Sequence, residues 1–329
     1  MNTVTTAFRE APDYEEFYGF VQSPFTLAPD PRFLYLSDSH DAAMQQLLQA
    51  IARKEGIVVL TGDIGTGKTT VCRTVLERLD MKCFTSLLLN PFLSVEELLR
   101  EILLDFGVVS RDAVRSGRIA AASKHELVST LHEFLVSLVP IGGSGILIID
   151  EAQHLSPAVL EELRVLSNLE TNHSKLLQIV LVGQNSLLDV LASPQLQQLD
   201  QRISMRATLT PLIRTDIEPY IGHRLSVAHG SSSITFDAAA NDAIFAASHG
   251  VPRVINLLCD RALMIGARFG LRTITADVVT EAARGLGVRT PRTGARALRD
   301  HIGRWAGLLA AVIALVAALL LFAPLLDPF

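Results

Sequence analysis

The feature that most constrains this 329-residue chain is a glycine-rich segment between an apolar run and a stretch with helical spacing. The segment reads Gly62-Asp63-Ile64-Gly65-Thr66-Gly67-Lys68-Thr69; Ile57–Leu60 precedes it and Thr70–Leu79 follows it. A strand, a loop with this spacing and a helix form a phosphate-binding loop. Its glycines let backbone N–H groups surround a polyphosphate, and the helix N-terminus adds partial positive charge. The pattern therefore predicts that the chain binds a nucleoside triphosphate.

Four side chains in and beyond this loop predict chemistry at the phosphates. Lys68 can reach the β- and γ-phosphates, and the Thr69 hydroxyl can ligand Mg²⁺. A second apolar strand, Ile146–Ile149, ends in Asp150 and Glu151. Carboxylates at the end of a buried parallel strand open onto the crevice where ligands bind. We expect Asp150 to hold Mg²⁺ through water and Glu151 to orient and deprotonate an attacking water.

Apolar strands alternate with helices from residue 38 to residue 209. Strands are predicted at Ile57–Leu60, Cys83–Leu89, Ile146–Ile149, Leu176–Val182 and, briefly, Thr208–Leu209. Helices are predicted at Asp38–Lys54, Thr69–Leu79, Ser94–Phe106, Lys124–Val139 and Pro157–Leu169, with a loop over Arg111–Ala122. Strands that are apolar throughout and alternate with helices imply an α/β fold whose parallel sheet is covered on both faces.

After Pro211 the pattern changes to helices alone. These are predicted at Thr215–Ala228, Asp237–Ser248, Val254–Phe269 and Thr275–Leu286. Ser94 with Glu97, and Thr215 with Glu218, have the spacing of capping boxes. We therefore expect an N-terminal arm and leading helix at 1–45, a nucleotide-binding α/β core at 46–212 and a small helical lid at 213–288.

The C-terminal segment Trp305–Ala323 contains no charged residue. As a helix it would span roughly 28 Å, close to the ~30 Å hydrocarbon core of a bilayer. Five arginines precede it within the linker 289–304, and only 324–329 follow it. The positive-inside rule then places the large N-terminal part in the cytoplasm and 324–329 outside. The sequence thus predicts a single-pass protein of a bacterial inner membrane, with the basic linker against anionic lipid.

Composition and residue spacing give little support to several other classes of function. A formal net charge of −5 argues weakly against a large, sequence-independent nucleic-acid surface, and it leaves room for a local basic patch. The three cysteines, Cys72, Cys83 and Cys259, have no metal-ligand spacing, and reduced structural thiols are the expected state. The histidines show no ligand spacing either, and no Ser-His-Asp or Cys-His arrangement stands out.

A series of motifs in a fixed order resembles the AAA+ ATPases, and more narrowly those of the general secretion pathway protein A type. The motifs are Tyr18-Gly19-Phe20, Ser23-Pro24-Phe25, Pro29-Asp30-Pro31-Arg32-Phe33-Leu34-Tyr35, Ser39-His40, Leu60–Thr70, Asp150-Glu151-Ala152-Gln153, Leu181-Val182-Gly183-Gln184, Gln201-Arg202-Ile203-Ser204 and Gly250-Val251-Pro252-Arg253-Val254-Ile255-Asn256. The resemblance covers about residues 14–285 and includes relatives found beside exosortase and exopolysaccharide genes. It implies a P-loop NTPase core with a helical lid, ATP and Mg²⁺ as cofactors, and a homo-oligomer such as a hexameric ring.

The resemblance also implies roles for single residues. Nucleotide contacts fall on 62–70 and on Arg253, the lid arginine. Gln184 corresponds to the polar sensor near the γ-phosphate. Arg202 corresponds to the arginine finger that enters a neighbouring subunit's site, with Arg206, one helical turn later, as the other candidate. Asn90 resembles the switch residue that restrains the catalytic glutamate in some members.

Three functions remain open at this point. The first is a membrane-anchored ATPase that couples ATP binding and hydrolysis to assembly or operation of an envelope secretion or exopolysaccharide-export system. The second is a nucleotide-dependent scaffold or switch with little turnover. The third is a DNA-transaction ATPase similar to transposition helpers, against which the apolar C-terminal segment and the acidic balance argue. Larger secretion-type members carry a peptidoglycan-binding region after the membrane span. Only residues 324–329 follow the predicted span in this sequence, so the resemblance does not extend to binding of the cell wall.

Overall fold

A computed structural model describes residues 14–112, 119, 122–171, 174–228 and 234–288. Its centre is a five-stranded sheet with strand order β2-β3-β4-β1-β5, in which every neighbouring pair is parallel. The strands are β1 (Ile57–Gly62), β2 (Cys83–Leu88), β3 (Ser144–Ile149), β4 (Leu177–Gly183) and β5 (Ile203–Leu209). The predicted parallel α/β sheet is confirmed.

The three inner strands are buried along their whole length, whereas the edge strands β2 and β5 are only partly buried. Successive residues of β1 point to opposite faces, so Val59 joins one apolar cluster and Val58 joins the other. In β3, Leu147 and Ile148 divide in the same way. Helices therefore cover both faces, as fully apolar strands require.

One face of the sheet carries the helices Val95–Asp105, Lys124–Ser137 and Pro157–Leu166, and the other carries Asp38–Ala52 and Lys68–Glu77. Short helices at Ser186–Leu191 and Gln197–Asp200 lie between β4 and β5. The capping box predicted at Ser94 is present: its hydroxyl accepts from the Glu97 N–H, and the Glu97 carboxylate accepts from the Ser94 N–H. Sequence reasoning did not predict a second box, at Ser123 and Glu126.

The residues after β5 form four longer helices with a separate apolar core. The helices are Ile217–Val227, Ala238–Ser248, Pro252–Arg268 and Ala276–Gly285. A short helix of the N-terminal arm, Tyr14–Tyr18, packs on them: the Tyr14 hydroxyl donates to Asp260 at 2.5 Å and the Tyr18 hydroxyl to the Leu271 carbonyl at 2.9 Å.

Three local predictions were wrong. β5 begins at Ile203 rather than Thr208, so Arg206 lies in a strand and not one helical turn after Arg202. The capping box at Thr215 is absent, because a 3-10 turn precedes the helix and Asp216 accepts from the Ile213 N–H at 3.2 Å instead. The helical part also contains a small parallel pair, Thr235–Phe236 with Thr273–Ile274.

The predicted basic linker 289–304, the apolar segment 305–323 and the terminal residues 324–329 lie outside the described residues, as does most of the predicted loop 111–122. None of the helices in the described ranges has the length and apolar character needed to cross a bilayer.

Candidate nucleotide-binding site

A cleft of about 290 Å³ lies where the carboxyl end of the sheet faces the helical part. The phosphate-binding loop forms its floor, and the arm residues 26–30 form one wall. The helical part forms another wall, through Tyr220, Arg253 and Asn256. Three separate stretches of sequence therefore enclose one space, which is the usual setting of a ligand site between two structural units.

The loop backbone is prepared for an anion. Gly65 and Gly67 adopt left-handed conformations with φ of +80° and +100°, which other residues rarely adopt. The N-cap of the helix Lys68–Glu77 is Gly67, which has no side chain that could cap it. Ser37, Ser94 and Asp237, by contrast, each cap their own helices with a side-chain oxygen. Its first N–H groups are therefore free of side-chain acceptors, and the residues fit a bound phosphate.

Lys68 is almost fully buried beneath this loop. Its ammonium donates to the carbonyls of Gly62 at 2.9 Å and Asp63 at 3.0 Å. Burial lowers the pKa of Lys68, and the nearby carboxylates of Glu151, Asp150 and Asp63 oppose that change. Charged phosphate oxygens accept hydrogen bonds more strongly than neutral carbonyls. A bound phosphate would therefore replace these two carbonyls as the acceptor for the Lys68 ammonium.

The two predicted metal ligands are in direct contact. The Thr69 hydroxyl donates to Asp150 Oδ2 at 2.5 Å, and Asp150 Oδ1 accepts from the Glu151 N–H at 2.9 Å. A hydroxyl and a carboxylate beside a phosphate loop suit Mg²⁺, which takes few protein oxygens and completes its shell with water and phosphate. The donor set therefore fits the ion.

Glu151 lines the cleft next to Lys68. Its backbone has φ 53° and ψ 36°, a left-handed conformation that costs free energy in a residue with a side chain. Its Oε2 accepts from Gln153 Nε2 at 2.6 Å and from Gln184 Nε2 at 3.4 Å. The structure thus brings Glu151 and the predicted sensor Gln184 together. Asn90 is engaged elsewhere, since its Oδ1 accepts from the Phe92 N–H at 3.1 Å.

Sequence reasoning gave no role to His40, which supports the loop from below. His40 is buried; its Nδ1 lies 2.7 Å from the Ser37 hydroxyl and its Nε2 lies 2.8 Å from the Thr66 carbonyl. A carbonyl only accepts, so Nε2 carries the proton and Nδ1 accepts from Ser37. The Ser39-His40 motif was the available signal, but no local pattern reveals a contact with a residue 26 positions away.

The helical part touches the loop through backbone atoms. The N–H of Arg253 donates to the Gly65 carbonyl at 3.1 Å, and a Cβ on Gly65 would lie 2.7 Å from the Arg253 Cβ. Gly65 therefore permits the close approach that brings Arg253 into the cleft. The structure thus places Arg253, the predicted lid arginine, in the lining of the cleft.

The two candidate finger arginines lie at different distances from this loop, and Arg202 is the farther one. Arg202 precedes β5, whose Ile203 pairs with Ile57 at the start of β1. At ~3.3 Å per residue, the length of β1 separates it from the loop by roughly 20 Å. Arg202 donates to Ser167 Oγ at 3.1 Å and to Asn168 Oδ1, whereas Arg206 is paired with Asp200 at 2.6 Å. From that distance Arg202 cannot reach its own chain's cleft. Arg206 lies opposite Val59, nearer to the loop, and its guanidinium is held by Asp200.

Comparison with known proteins agrees with this geometry. Residues 36–191 match the model of a family described as an AAA domain. General secretion pathway protein A of Aeromonas hydrophila is 38% identical to this chain over 282 residues, which cover 85% of this chain and 50% of that protein. This chain belongs to the AAA+ proteins of the general secretion pathway protein A type. It spans about half the length of the curated relative that it matches.

Solved structures share the fold of this AAA+ protein. The ORC2 protein of Aeropyrum pernix, solved as ADPNP–ADP complexes, aligns with a TM-score of 0.61 and 14% identity over 80% of this chain and 71% of that one. Cdc6p from Pyrobaculum aerophilum aligns with a TM-score of 0.61 and 17% identity over 80% and 70% of the two chains. At these identities the likeness shows a common fold, and the P-loop fold implies nucleotide binding.

The environment of His40 predicts a pH dependence of stability. Burial lowers the pKa of His40 below its ordinary value of 6.5, against a smaller opposing effect of the Thr66 carbonyl. Between 6.5 and the lower pKa in the folded protein, the unfolded chain binds a proton that the folded chain does not. The contribution of His40 to the free energy of unfolding should therefore be complete above pH 6.5 and decrease as the pH falls below it.

Urea unfolding at pH 7.5 and 5.5 checks this for the wild type and His40→Gln, whose amide can replace both hydrogen bonds without titrating. The wild type should lose more stability than the variant on acidification. An equal loss in both proteins would contradict the prediction. His125→Gln, a substitution of an exposed histidine, is the matched control.

Proposed function

We propose that this AAA+ protein hydrolyses ATP and couples the nucleotide cycle to assembly or operation of an envelope secretion or polysaccharide-export system. The observation that carries the proposal is the placement of Glu151 in the cleft, beside a buried Lys68 and a Thr69–Asp150 pair. A binding-only switch needs the lysine and the loop, but it has no need of a second carboxylate that faces the phosphates.

The roles of the chain's own groups follow from their positions. The loop N–H groups and Lys68 hold the phosphates and neutralise their charge. Thr69 and Asp150 would hold Mg²⁺, which when bound stabilises negative charge on the phosphate oxygens. The carboxylate of Glu151 accepts a proton from the attacking water. Gln184, hydrogen-bonded to Glu151, lies on the same side and orients the same reacting groups.

The complete site needs a second copy of the chain. Arg202 cannot reach the cleft of its own chain, and the residue is only half-buried. In a ring or chain of subunits, the end of the sheet that carries Arg202 can face the cleft of a neighbour. An arginine supplied in this way stabilises charge that develops on the γ-phosphate.

We also propose that residues 305–323 anchor the protein in the inner membrane, with the AAA domain in the cytoplasm. The uncharged segment and the arginines before it support this proposal. The relative's name, general secretion pathway protein A, supports a partner in an envelope secretion system. A polysaccharide-export partner is the related alternative.

Variants of the cleft should separate binding from hydrolysis. Lys68→Ala removes a charge that faces two phosphates and should weaken ATP binding at least tenfold. Glu151→Gln keeps the shape of the site and should retain binding while lowering the hydrolysis rate on the order of 100-fold or more. Fluorescent-nucleotide titration and phosphate release measure the two effects, with Glu161→Gln on the protein surface as control. A wild-type rate no higher than that of Glu151→Gln would favour the scaffold or switch.

Mixing two inactive variants tests the shared site. Lys68→Ala keeps Arg202, and Arg202→Ala keeps the cleft, so a mixed assembly contains some intact composite sites. ATP hydrolysis should therefore reappear on mixing. Arg206→Ala should behave like the wild type because Arg206 is paired with Asp200. If Arg202→Ala hydrolyses ATP at the wild-type rate, the arginine finger lies elsewhere.

Extraction of cell membranes tests the anchor. The full chain should stay in the membrane after washing with alkaline carbonate, because about 19 apolar residues would be buried in lipid. A chain ending at residue 288 should be released by the same wash. Release of the full chain would contradict the proposed anchor while leaving the ATPase proposal intact.

A further inference from the structure

Gln153 lies two residues after Glu151, and both polar atoms of its side-chain amide form hydrogen bonds within the site. Its Nε2 donates to Glu151 Oε2 at 2.6 Å and lies 3.3 Å from His154 Nδ1. Its Oε1 accepts from the backbone N–H of Gln184 at 3.1 Å. One amide therefore links the turn after β3 with the end of β4.

The partners determine which way the amide points. A carboxylate only accepts and a backbone N–H only donates, so nitrogen must face Glu151 and oxygen must face Gln184. The opposite orientation would place two acceptors together on one side and two donors together on the other. The amide thus has one satisfied orientation, and that orientation sets where the Glu151 carboxylate points.

Gly183, the last residue of β4, leaves the space that this amide occupies. A Cβ at Gly183 would lie 2.5 Å from Gln153 Oε1 and 3.1 Å from the Leu187 side chain. The φ of Gly183 is not positive, so an alanine there is compatible with the backbone. Glycine at this position is therefore explained by the room it gives to Gln153.

We propose that Gln153 is a positioning residue that directs the Glu151 carboxylate toward the attacking water. This inference rests on the proposed ATP hydrolysis. The backbone of Glu151 has a left-handed conformation that costs free energy, and such a conformation persists only where surrounding contacts maintain it. Gln153 supplies that support by tying the carboxylate to the backbone of β4, next to the sensor Gln184.

Two variants remove this support by different routes. Gln153→Leu keeps the approximate size of the side chain and removes its hydrogen bonds. Gly183→Ala keeps Gln153 but fills the space of its amide oxygen. Both should lower kcat for ATP about 10- to 100-fold, because a displaced catalytic group loses much of its effect. KM and the dissociation constant for ATP should change less than about twofold, because neither Gln153 nor Gly183 is among the residues that line the cleft.

Gly222→Ala is the matched control for Gly183→Ala. Gly222 lies exposed in the helix Ile217–Val227, and a Cβ there meets no atom within 4 Å. It should hydrolyse ATP at the wild-type rate. Wild-type kcat in both Gln153→Leu and Gly183→Ala would overturn the proposal, as would equal losses of binding and kcat. If wild type and Glu151→Gln hydrolyse equally slowly, the proposed ATPase function fails instead.

The nucleotide-free protein provides a second, independent measurement. If Gln153 acts through Glu151, the shifts in urea unfolding midpoint caused by Gln153→Leu and Glu151→Ala should not add in the double variant. The kcat loss from Gln153→Leu should likewise disappear in a Glu151→Gln background. Additive shifts in the midpoint would show that the amide acts independently of Glu151 and would overturn the inference.

Discussion

The hydrogen bond between Thr69 and Asp150 joins the two segments on which the site depends. These residues are 81 positions apart, and strand β4 lies between β1 and β3, the strands that precede them. They meet because all the strands are parallel, so the residues after β1 and β3 emerge at the same edge of the sheet. The order of the strands, more than any single side chain, creates the juxtaposition of phosphate loop and acids.

The wall that the arm forms depends on a buried arginine, Arg224, which is not one of the two candidate fingers. Arg224 is buried and donates to the carbonyls of Pro24 at 2.6 Å and Thr26 at 2.9 Å, and its guanidinium lies 4.7 Å from the centre of the Phe33 ring. Among the residues that the structure describes, no acid forms an ion pair with Arg224, and carbonyl dipoles and aromatic faces stabilise its charge. The arm is thereby fixed to the helical part, and residues 26–30 can form a wall.

The sequence allowed prediction of the features that short-range patterns encode. The phosphate loop and the acids after β3 each follow an apolar run, so their positions at strand ends could be inferred. Strand β5 was predicted too short because Ser204, Arg206 and Thr208 interrupt its apolar residues, although they alternate with them as in an edge strand. The roles of His40 and Gln153 were not predicted, because they depend on contacts with residues 26 and 31 positions away. Spacing along the chain contains no record of such contacts.

The contact between Ser39 and Thr210 has a mechanical consequence. The chain passes between the sheet and the helical part twice, once before the helix Asp38–Ala52 and once after β5, and the Thr210 N–H donates to Ser39 Oγ at 2.9 Å where the two passages meet. Because this hydrogen bond holds the two passages together, any rotation of the helical part relative to the sheet would have to occur about this point. Such a rotation would widen the cleft and move the arm together with the helical part. The phosphate-binding loop, Asp150 and Glu151 would stay with the sheet.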